Sequence, residues 1–126
     1  MKPSTREWIK KAESDFQLGL SLTRRRKMLV RDQACFMFQQ SAEKYLKARL
    51  EEANIHFPKT HQLQDLISLA LHVEPMWSAL LPAASRLTVY AVTFRYPGYE
   101  ATVAQMRAAM QDAKAVRQEA RHALGL

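Results

Sequence analysis

Residues 32–53, DQACFMFQQSAEKYLKARLEEA, decide the fold, because this stretch has neither glycine nor proline and carries apolar residues at helical spacing. One face of the predicted helix consists of Ala34, Phe38, Ser41, Tyr45 and Ala48. An adjoining face consists of Cys35, Ala42, Leu46 and Leu50. A helix that is apolar over so wide an arc is buried on two sides. We expect one side to pack within its own bundle and the other to be available to a second copy of the chain.

The segment before this helix also consists of good helix formers, and only three glycines occur among 126 residues. We expect the first helix to start at Ser4, where Ser4 and Glu7 have the spacing of a capping box. It is expected to end in the basic run Arg24–Lys27, where cations suit the negative end of the helix dipole. The second helix then extends from about Asp32 to Ala53.

Three further helical stretches are expected in the second half of the chain. Thr60 is a suitable N-cap for a short helix, and the next stretch covers about 75–92 with a bend at Pro82. The last helix covers about 100–124, with Gly125 as its C-cap. Because no run of alternating β-branched residues predicts a strand, the sequence predicts an all-α fold.

The chain is basic, with a formal net charge of +7 from 19 Lys and Arg against 12 Asp and Glu. This charge favours an anionic partner: nucleic acid, nucleotide phosphates or an acidic protein. The alternative is a domain that is merely basic. The densest cluster, Arg24–Lys27 with Arg31, has the charge to grip phosphates. Because no aromatic residue is interleaved for base stacking, we favour a solvated loop between two helices there.

Composition excludes several classes of protein. The length suits one domain, residues 1–126. The single cysteine, Cys35, cannot form an intrachain disulfide and is expected to be a small buried hydrophobe.

No signal peptide or membrane span is expected, so a cytoplasmic location is predicted. The four histidines lack metal-ligand spacing, and three glycines cannot build a Walker or Rossmann loop. We therefore expect no metal and no cofactor.

A polar stripe on the predicted second helix consists of Gln40, Glu43, Lys44 and Lys47. Burying charge beside aromatic residues is costly unless partners are supplied, so this stripe is a candidate binding surface. The alternative is an ordinary exposed face with a Glu43–Lys47 helical ion pair, which contributes only about 0.3 kcal/mol.

The most distinctive interruption of the helical pattern is Arg95-Tyr96-Pro97-Gly98. An arginine beside two tyrosines offers a planar fork for phosphate and aromatic rings for stacking a base. The alternative is a tight turn between two helices in which Arg95 pairs with a carboxylate such as Glu43. The sequence favours the first interpretation, with Arg95 and Tyr96 as phosphate- or nucleotide-binding residues.

Taken in order, these segments resemble the HEPN domain family (higher eukaryotes and prokaryotes nucleotide-binding), over nearly the whole chain. The resemblance rests on Trp8, Ala12 and Asp15, on Cys35-Phe36, Gln39-Gln40 and Ala42 to Ala48, on Phe57-Pro58-Lys59-Thr60-His61 with Leu63 and Leu66, and on Tyr90 with the Arg95 motif. It implies a four- to five-helix up-and-down bundle that usually forms a homodimer. Such bacterial and archaeal domains are commonly encoded beside a minimal nucleotidyltransferase and act with it as a toxin–antitoxin pair.

Many members of this family are metal-independent ribonucleases that use an arginine and a histidine with four to six residues between them. Arg95 matches the arginine, but the corresponding positions hold Glu100, Ala101 and Thr102. Arg117 and His122 have the required spacing, although they lie near the end of the last helix. Glu100 is a further candidate base, although an exposed carboxylate is a poor acid at neutral pH.

Three functions follow from these observations. The leading hypothesis is a nucleotide- or RNA-binding HEPN-like domain with little or no catalysis, partnered by a nucleotidyltransferase, with its site at Arg95, Tyr96 and the polar stripe. The second is an active ribonuclease toxin that depends on Arg117 and His122, or on Glu100. The third is an interaction module that uses the wide apolar arc of the second helix, together with Met106 and Met110.

Overall fold

The computed structural model describes residues 1–25 and 28–126, which form an all-α bundle without strands, as predicted. The α-helices of these ranges are α1 (Pro3–Thr23), α2 (Met28–Glu52), α3 (Leu63–Ala70), α4 (Leu81–Thr88) and α5 (Val103–Ala123). Short 3-10 segments cover Pro75–Leu80, Val89–Ala91 and Thr93–Arg95. The first helix was predicted to end in the basic run Arg24–Lys27. The last two residues of this run, Arg26 and Lys27, lie outside the described residues.

Helix α2 is the centre of the bundle and packs against α1, α3, α4 and α5. Every residue of its two predicted apolar faces is fully buried or nearly so. Both faces are therefore covered within one chain, since α1 packs on one side and α5 and α3 pack on the others. A homodimer stays a prediction, but the apolar arc of α2 leaves no side for a second copy.

Helices α1 and α2 approach most closely where Gly19 faces Phe38. A Cβ atom placed on Gly19 would lie 2.7 Å from Cε1 of Phe38. Phe38 is fully buried and packs at 6.0 Å, between ring centroids, from Phe16. The absence of a side chain at position 19 therefore lets α1 and α2 pack together here, because the ring of Phe38 is fully buried in a dense core.

We expect Gly19→Ala to destabilise the protein by up to about 2 kcal/mol. Glycine to alanine within a helix usually adds about 1 kcal/mol of stability, but overpacking a dense core costs about 1–3 kcal/mol. Urea unfolding of the single variants and of Gly19→Ala with Phe38→Leu measures the coupling. A Gly19→Ala protein more stable than the wild type would show that the two helices do not meet here as described.

The predicted capping box at the start of α1 is wrong. Lys2 occupies the N-cap position without a side-chain cap, and Ser4 lies inside the first turn. Pro3 explains the earlier start, because its fixed φ suits the first helical position. The Ser4 hydroxyl instead donates to Oε1 of Glu51 at 2.8 Å, and the backbone N–H of Lys2 donates to Oε1 of Glu52 at 3.0 Å. Carboxylates from the end of α2 thus replace the local cap.

The other helix boundaries shift by a few residues. Helix α2 begins at Met28, before the predicted Asp32. Helix α3 is preceded by Gln62 rather than Thr60 as its N-cap. The hydroxyl of Thr60 accepts a hydrogen bond from the backbone N–H of Gln62 at 3.0 Å, so Thr60 forms a turn just before the helix.

The predicted helix over 75–92 is not one bent helix. It is divided into a 3-10 segment, α4 and a second 3-10 segment, and Pro82 lies in the first turn of α4. The break therefore precedes Pro82, which starts a helix instead of bending one.

The last helix begins later than predicted but ends as expected. Thr102 is its N-cap and forms a capping box with Gln105, so Glu100 lies outside the helix. Gly125 has a φ of 78° and closes the C-terminus. The backbone N–H of Gly125 donates to the carbonyl of His122 at 3.0 Å, and that of Leu126 donates to Arg121 at 2.8 Å. This pair of bonds is a Schellman motif, which confirms the predicted C-cap.

Candidate functional site

The segment between α4 and α5 turns sharply at the motif that interrupts the sequence pattern. The backbone N–H of Tyr99 donates to the carbonyl of Tyr96 at 3.4 Å, with Pro97 and Gly98 at the two central positions. Gly98 has a φ of 92°, as the third residue of a type II turn requires. Arg95 ends the preceding 3-10 segment and is exposed, so the turn presents it at the surface.

The far end of this segment is fastened to the start of α2. The backbone N–H of Ala101 donates to Oδ1 of Asp32 at 2.6 Å, and its carbonyl accepts from Nε of Arg31 at 2.8 Å. Ala101 itself is buried. Two consecutive side chains of α2 therefore hold both backbone polar groups of one residue, and we call this arrangement the Ala101 clamp.

The guanidinium of Arg95 stacks on an aromatic ring and separates two hollows. Its Cζ lies 4.3 Å from the ring centroid of Phe36. On one side is an open cleft of about 390 Å³ between the loop before α3 and the segment after α4, which we call the Arg95 cleft; it is lined by His61, Ala91, Val92, Arg95 and Tyr96. On the other side is a hollow lined by Asp32, Gln33, Phe36, Phe94 and Arg95. Stacking orients the fork of Arg95 while leaving its N–H donors at the cleft.

Behind His61 lies a buried charge network centred on Glu43. Oε1 of Glu43 is 2.8 Å from Nδ1 of His61, and Oε2 is 3.0 Å from Nζ of Lys47. The side chains of Glu43 and Lys47 are only 6% and 9% exposed, whereas that of His61 is 58% exposed. The network thus connects the interior of the bundle to the rim of the Arg95 cleft, and we call it the Glu43 network.

Two further groups complete this network. The amide of Gln39 donates to Oε1 of Glu43 at 3.2 Å and lies 3.3 Å from the carbonyl oxygen of His61. The ammonium of Lys47 lies 5.6 Å from the ring centroid of Trp8 and 5.8 Å from that of Phe57. The buried cation is therefore stabilised by a carboxylate and two aromatic faces. The Glu43–Lys47 ion pair exists as predicted, but it is buried instead of forming part of an exposed face.

The chemistry of this arrangement follows from the orientation of His61. An ionised carboxylate can only accept hydrogen bonds, so Nδ1 of His61 carries the proton that points at Glu43. Nε2 of a neutral imidazole is then an acceptor, and it becomes a second donor when the ring is protonated. Arg95 and His61 therefore give the cleft one permanent cation and one imidazole whose Nε2 faces away from Glu43.

The predicted polar stripe is divided by the structure. Glu43 and Lys47 belong to the Glu43 network, and Gln40 donates to the side-chain carbonyl of Gln39 at 2.8 Å. Lys44 lies apart from them and forms an ion pair with Asp15 of α1. Of the four stripe residues, Lys44 is therefore the one that contacts a different part of the bundle.

Arg117 has a structural partner. Its Nε and Nη2 donate to the two carboxylate oxygens of Glu13 at 2.7 and 2.9 Å, and its Cζ lies 5.0 Å from the ring centroid of Phe16. Arg117 and His122 line a hollow near the end of α5, whose lining includes neither Arg95 nor His61. Glu100 is exposed in the loop that follows the turn. The Arg117–His122 pair and the Arg95 cleft are therefore separate sites on the surface.

Sequence reasoning did not single out His61 and Gln39 as site residues. Gln39, Glu43 and Lys47 are each four positions apart, and this spacing of an amide, a carboxylate and an ammonium was the available signal. His61 is thirty-four positions before Arg95 in the sequence. Its place at the cleft depends on how α3 packs, and no local sequence pattern predicts that packing.

The single cysteine lies inside the bundle. Cys35 is fully buried, as predicted, and burial raises the pKa of its thiol to about 12. In the ranges that the structure describes, no three His, Cys, Asp or Glu side chains gather where they could hold a metal ion. Over the same ranges, none of the helices combines the length and the apolar character needed to cross a membrane.

Comparison with known proteins gives two findings. The model of the HEPN domain family matches residues 5–123. The crystal structure of TT1696 from Thermus thermophilus is similar over 97% of this chain and 99% of that chain, with a TM-score of 0.84 and 18% sequence identity. No curated protein matches the sequence. At this identity, the similarity to TT1696 supports the fold alone.

Proposed function

The chain belongs to the HEPN domain family, and on this premise we propose that it binds nucleotide or RNA phosphates in the Arg95 cleft. The observation that carries the proposal is the position of Arg95, stacked on Phe36 and lining one cleft with His61 and Tyr96. The guanidinium supplies donors for a phosphate, and the exposed ring of Tyr96 supplies a surface for a base. The formal charge of +7 favours the approach of an anion.

We expect Arg95→Ala to weaken binding of a labelled RNA and of ATP by about tenfold or more. A hydrogen bond to a charged group contributes about 1.5–3 kcal/mol, and each 1.4 kcal/mol is a factor of ten in affinity. Fluorescence anisotropy at fixed salt measures both ligands. Arg6→Ala is the matched control, because it removes the same charge from an exposed position on α1. Equal affinity of Arg95→Ala and the wild type would remove Arg95 from the site.

The proposal includes two partners that the family resemblance implies. We expect a homodimer and a complex with a minimal nucleotidyltransferase encoded next to this chain, the two acting as a toxin–antitoxin pair in the cytoplasm. Exposed apolar residues beside the cleft, Val92, Tyr96 and Tyr99, are available for such contacts. Light scattering of the purified chain and co-purification with the product of the neighbouring gene test the two partners separately.

A second candidate function, RNA cleavage, is favoured by the presence of His61 in the same cleft as Arg95. Nε2 of His61 would accept the proton of a ribose 2′-OH, whose oxygen then bonds to the adjacent phosphorus. The bond from phosphorus to the 5′-oxygen breaks, and the leaving oxygen takes the proton back from His61. Arg95 would offset the charge on the phosphorane oxygens. Glu43 would hold the required tautomer of His61.

RNA incubated with the protein and a chelator tests this reaction. Cleavage products ending in a 2′,3′-cyclic phosphate, lost in His61→Asn and retained in His122→Asn, are the expected result for this second candidate. Intact RNA, together with normal growth of cells that express the chain alone, would exclude it and leave binding as the function. A stable partner complex without any nucleotide or RNA binding would instead favour a pure interaction module.

A further inference from the structure

A second cationic recess lies between the end of α1, the start of α2 and the first turns of α5. Three arginines, Arg25, Arg31 and Arg107, line a recess of about 380 Å³. We call it the arginine recess. Arg25 and Arg31 belong to the basic cluster that was interpreted from its sequence as a solvated loop. Arg107 lies on α5, more than seventy positions further along the chain, and lines the same recess.

The contacts that hold the fold together leave the charge of this recess uncompensated. No carboxylate is among its lining residues, which also include the apolar side chains of Val103, Met106 and Met110. Within the described part of the chain, none of the ion pairs involves any of the three arginines. Gathering like charges over an apolar floor is unfavourable unless an anion neutralises them.

Arg31 is held in place for such an anion. Its Nε donates to the carbonyl of Ala101, and no described residue accepts a hydrogen bond from its two terminal nitrogens. Arginine forks bind phosphate oxygens in this way, with one edge anchored and the other presented. The arginine recess is therefore organised before a ligand arrives.

The recess and the site at Arg95 are neighbours along α2. Arg31 lines the recess, whereas Asp32, Gln33 and Phe36 line the hollow on the outer side of Arg95. Five positions separate Arg31 from Phe36, which corresponds to about 7.5 Å of helix rise and about 140° of rotation around α2, so a strand must follow the helix surface from one to the other. A strand of a few nucleotides spans this distance. The carboxylate of Asp32, next to Arg31 and already the acceptor for the backbone N–H of Ala101, accepts hydrogen bonds and suits a base amine rather than a phosphate.

We propose that the arginine recess binds a backbone phosphate of a single RNA strand whose neighbouring nucleotides occupy the hollows beside Arg95. The proposal rests on the proposed function and makes its ligand a strand of several nucleotides instead of a mononucleotide. Phe36 and Tyr96 favour RNA over an acidic peptide, because aromatic rings at the adjoining hollows stack bases.

The test compares a twelve-nucleotide single-stranded RNA with ATP, using Arg25→Ala combined with Arg107→Ala. Both side chains are exposed, and neither takes part in the Ala101 clamp. We expect the double variant to bind the RNA about tenfold more weakly and ATP as the wild type does. The slope of log affinity against log salt for RNA should also fall by about 0.7–1, corresponding to one lost phosphate contact.

Controls separate this proposal from the proposed function. Arg6→Ala combined with Lys10→Ala removes the same charge from exposed positions of α1 and should bind RNA normally. Unchanged RNA affinity and salt slope in the Arg25→Ala, Arg107→Ala variant would overturn the recess, even if Arg95→Ala is defective. If the Arg25→Ala, Arg107→Ala variant binds RNA more weakly and Arg95→Ala binds RNA normally, the recess is supported and the Arg95 cleft is rejected. Polyglutamate that competes as well as RNA at equal charge would overturn the choice of ligand.

Discussion

Glu43→Ala is expected to lower the free energy of unfolding by about 3–5 kcal/mol, which is a large part of the stability of a domain of this size. The variant would leave the ammonium of Lys47, whose side chain is only 9% exposed, without its carboxylate inside the bundle. It would also release Nδ1 of His61 and the amide of Gln39. Chemical denaturation at neutral pH measures the loss.

Glu74→Ala is the matched control for this prediction. Glu74 pairs with Arg49 at 2.9 Å, but the two side chains are 23% and 17% exposed, so the loss should be only about 1 kcal/mol. Glu43→Leu combined with Lys47→Met should recover part of the stability, because a buried pair replaced by apolar groups leaves no unpaired charge. Equal losses in Glu43→Ala and Glu74→Ala would show that Lys47 reaches solvent.

Acid is expected to remove about 1–2 kcal/mol of stability through the pair of Glu13 and Arg117, because solvent screens these partly exposed side chains. The two hydrogen bonds from Arg117 hold the pKa of Glu13 at about 2, against an ordinary value of 4.5. Because the pKa is lower in the folded state, the contribution is complete above pH 4.5 and is lost as the pH falls towards 2. Urea unfolding between pH 7 and pH 2.5 measures this loss.

Glu13→Gln should flatten this part of the pH profile, since glutamine does not titrate. Glu7→Gln, on an exposed position of the same helix, should keep the wild-type profile. A Glu13→Gln protein with the full wild-type slope would place the acid sensitivity elsewhere. RNA affinity of the Glu13→Gln protein, measured by fluorescence anisotropy, tests the separation of Arg117 from the site at Arg95. It should equal that of the wild type, because Arg117 lines a different hollow.

The architecture could be predicted from the sequence wherever a pattern extended over several turns. The two apolar faces of α2, the C-cap at Gly125 and the absence of strands all follow from local spacing and propensity. The start of α1 could not be predicted, because Glu51 and Glu52 act from fifty positions away and displaced the Ser4 capping box. A helix boundary that is set by tertiary contacts cannot be recognised from the sequence of the helix itself.

The candidate site was predictable in part for the same reason. Arg95 and Tyr96 stand out because proline and glycine mark their turn, and Glu43 and Lys47 share a helical stripe. Lys44 belongs to the same stripe in the sequence, yet Asp15 on α1 draws it to another side of α2. His61 reaches the Arg95 cleft, and Arg107 reaches the arginine recess, only when α3 and α5 pack in the bundle. The sequence alone therefore could not show which residues lie beside them.

The Ala101 clamp reduces the entropy cost of binding at the loop that follows Arg95. Ordering a residue costs about 1–2 kcal/mol of backbone entropy, and a loose loop would add that cost to the binding of every ligand. Here the loop is held at one end by the stacked Arg95 and at the other by Arg31 and Asp32, so its ordering is completed during folding. Association at this face would then be that of a rigid receptor, limited by desolvation and charge and not by chain ordering.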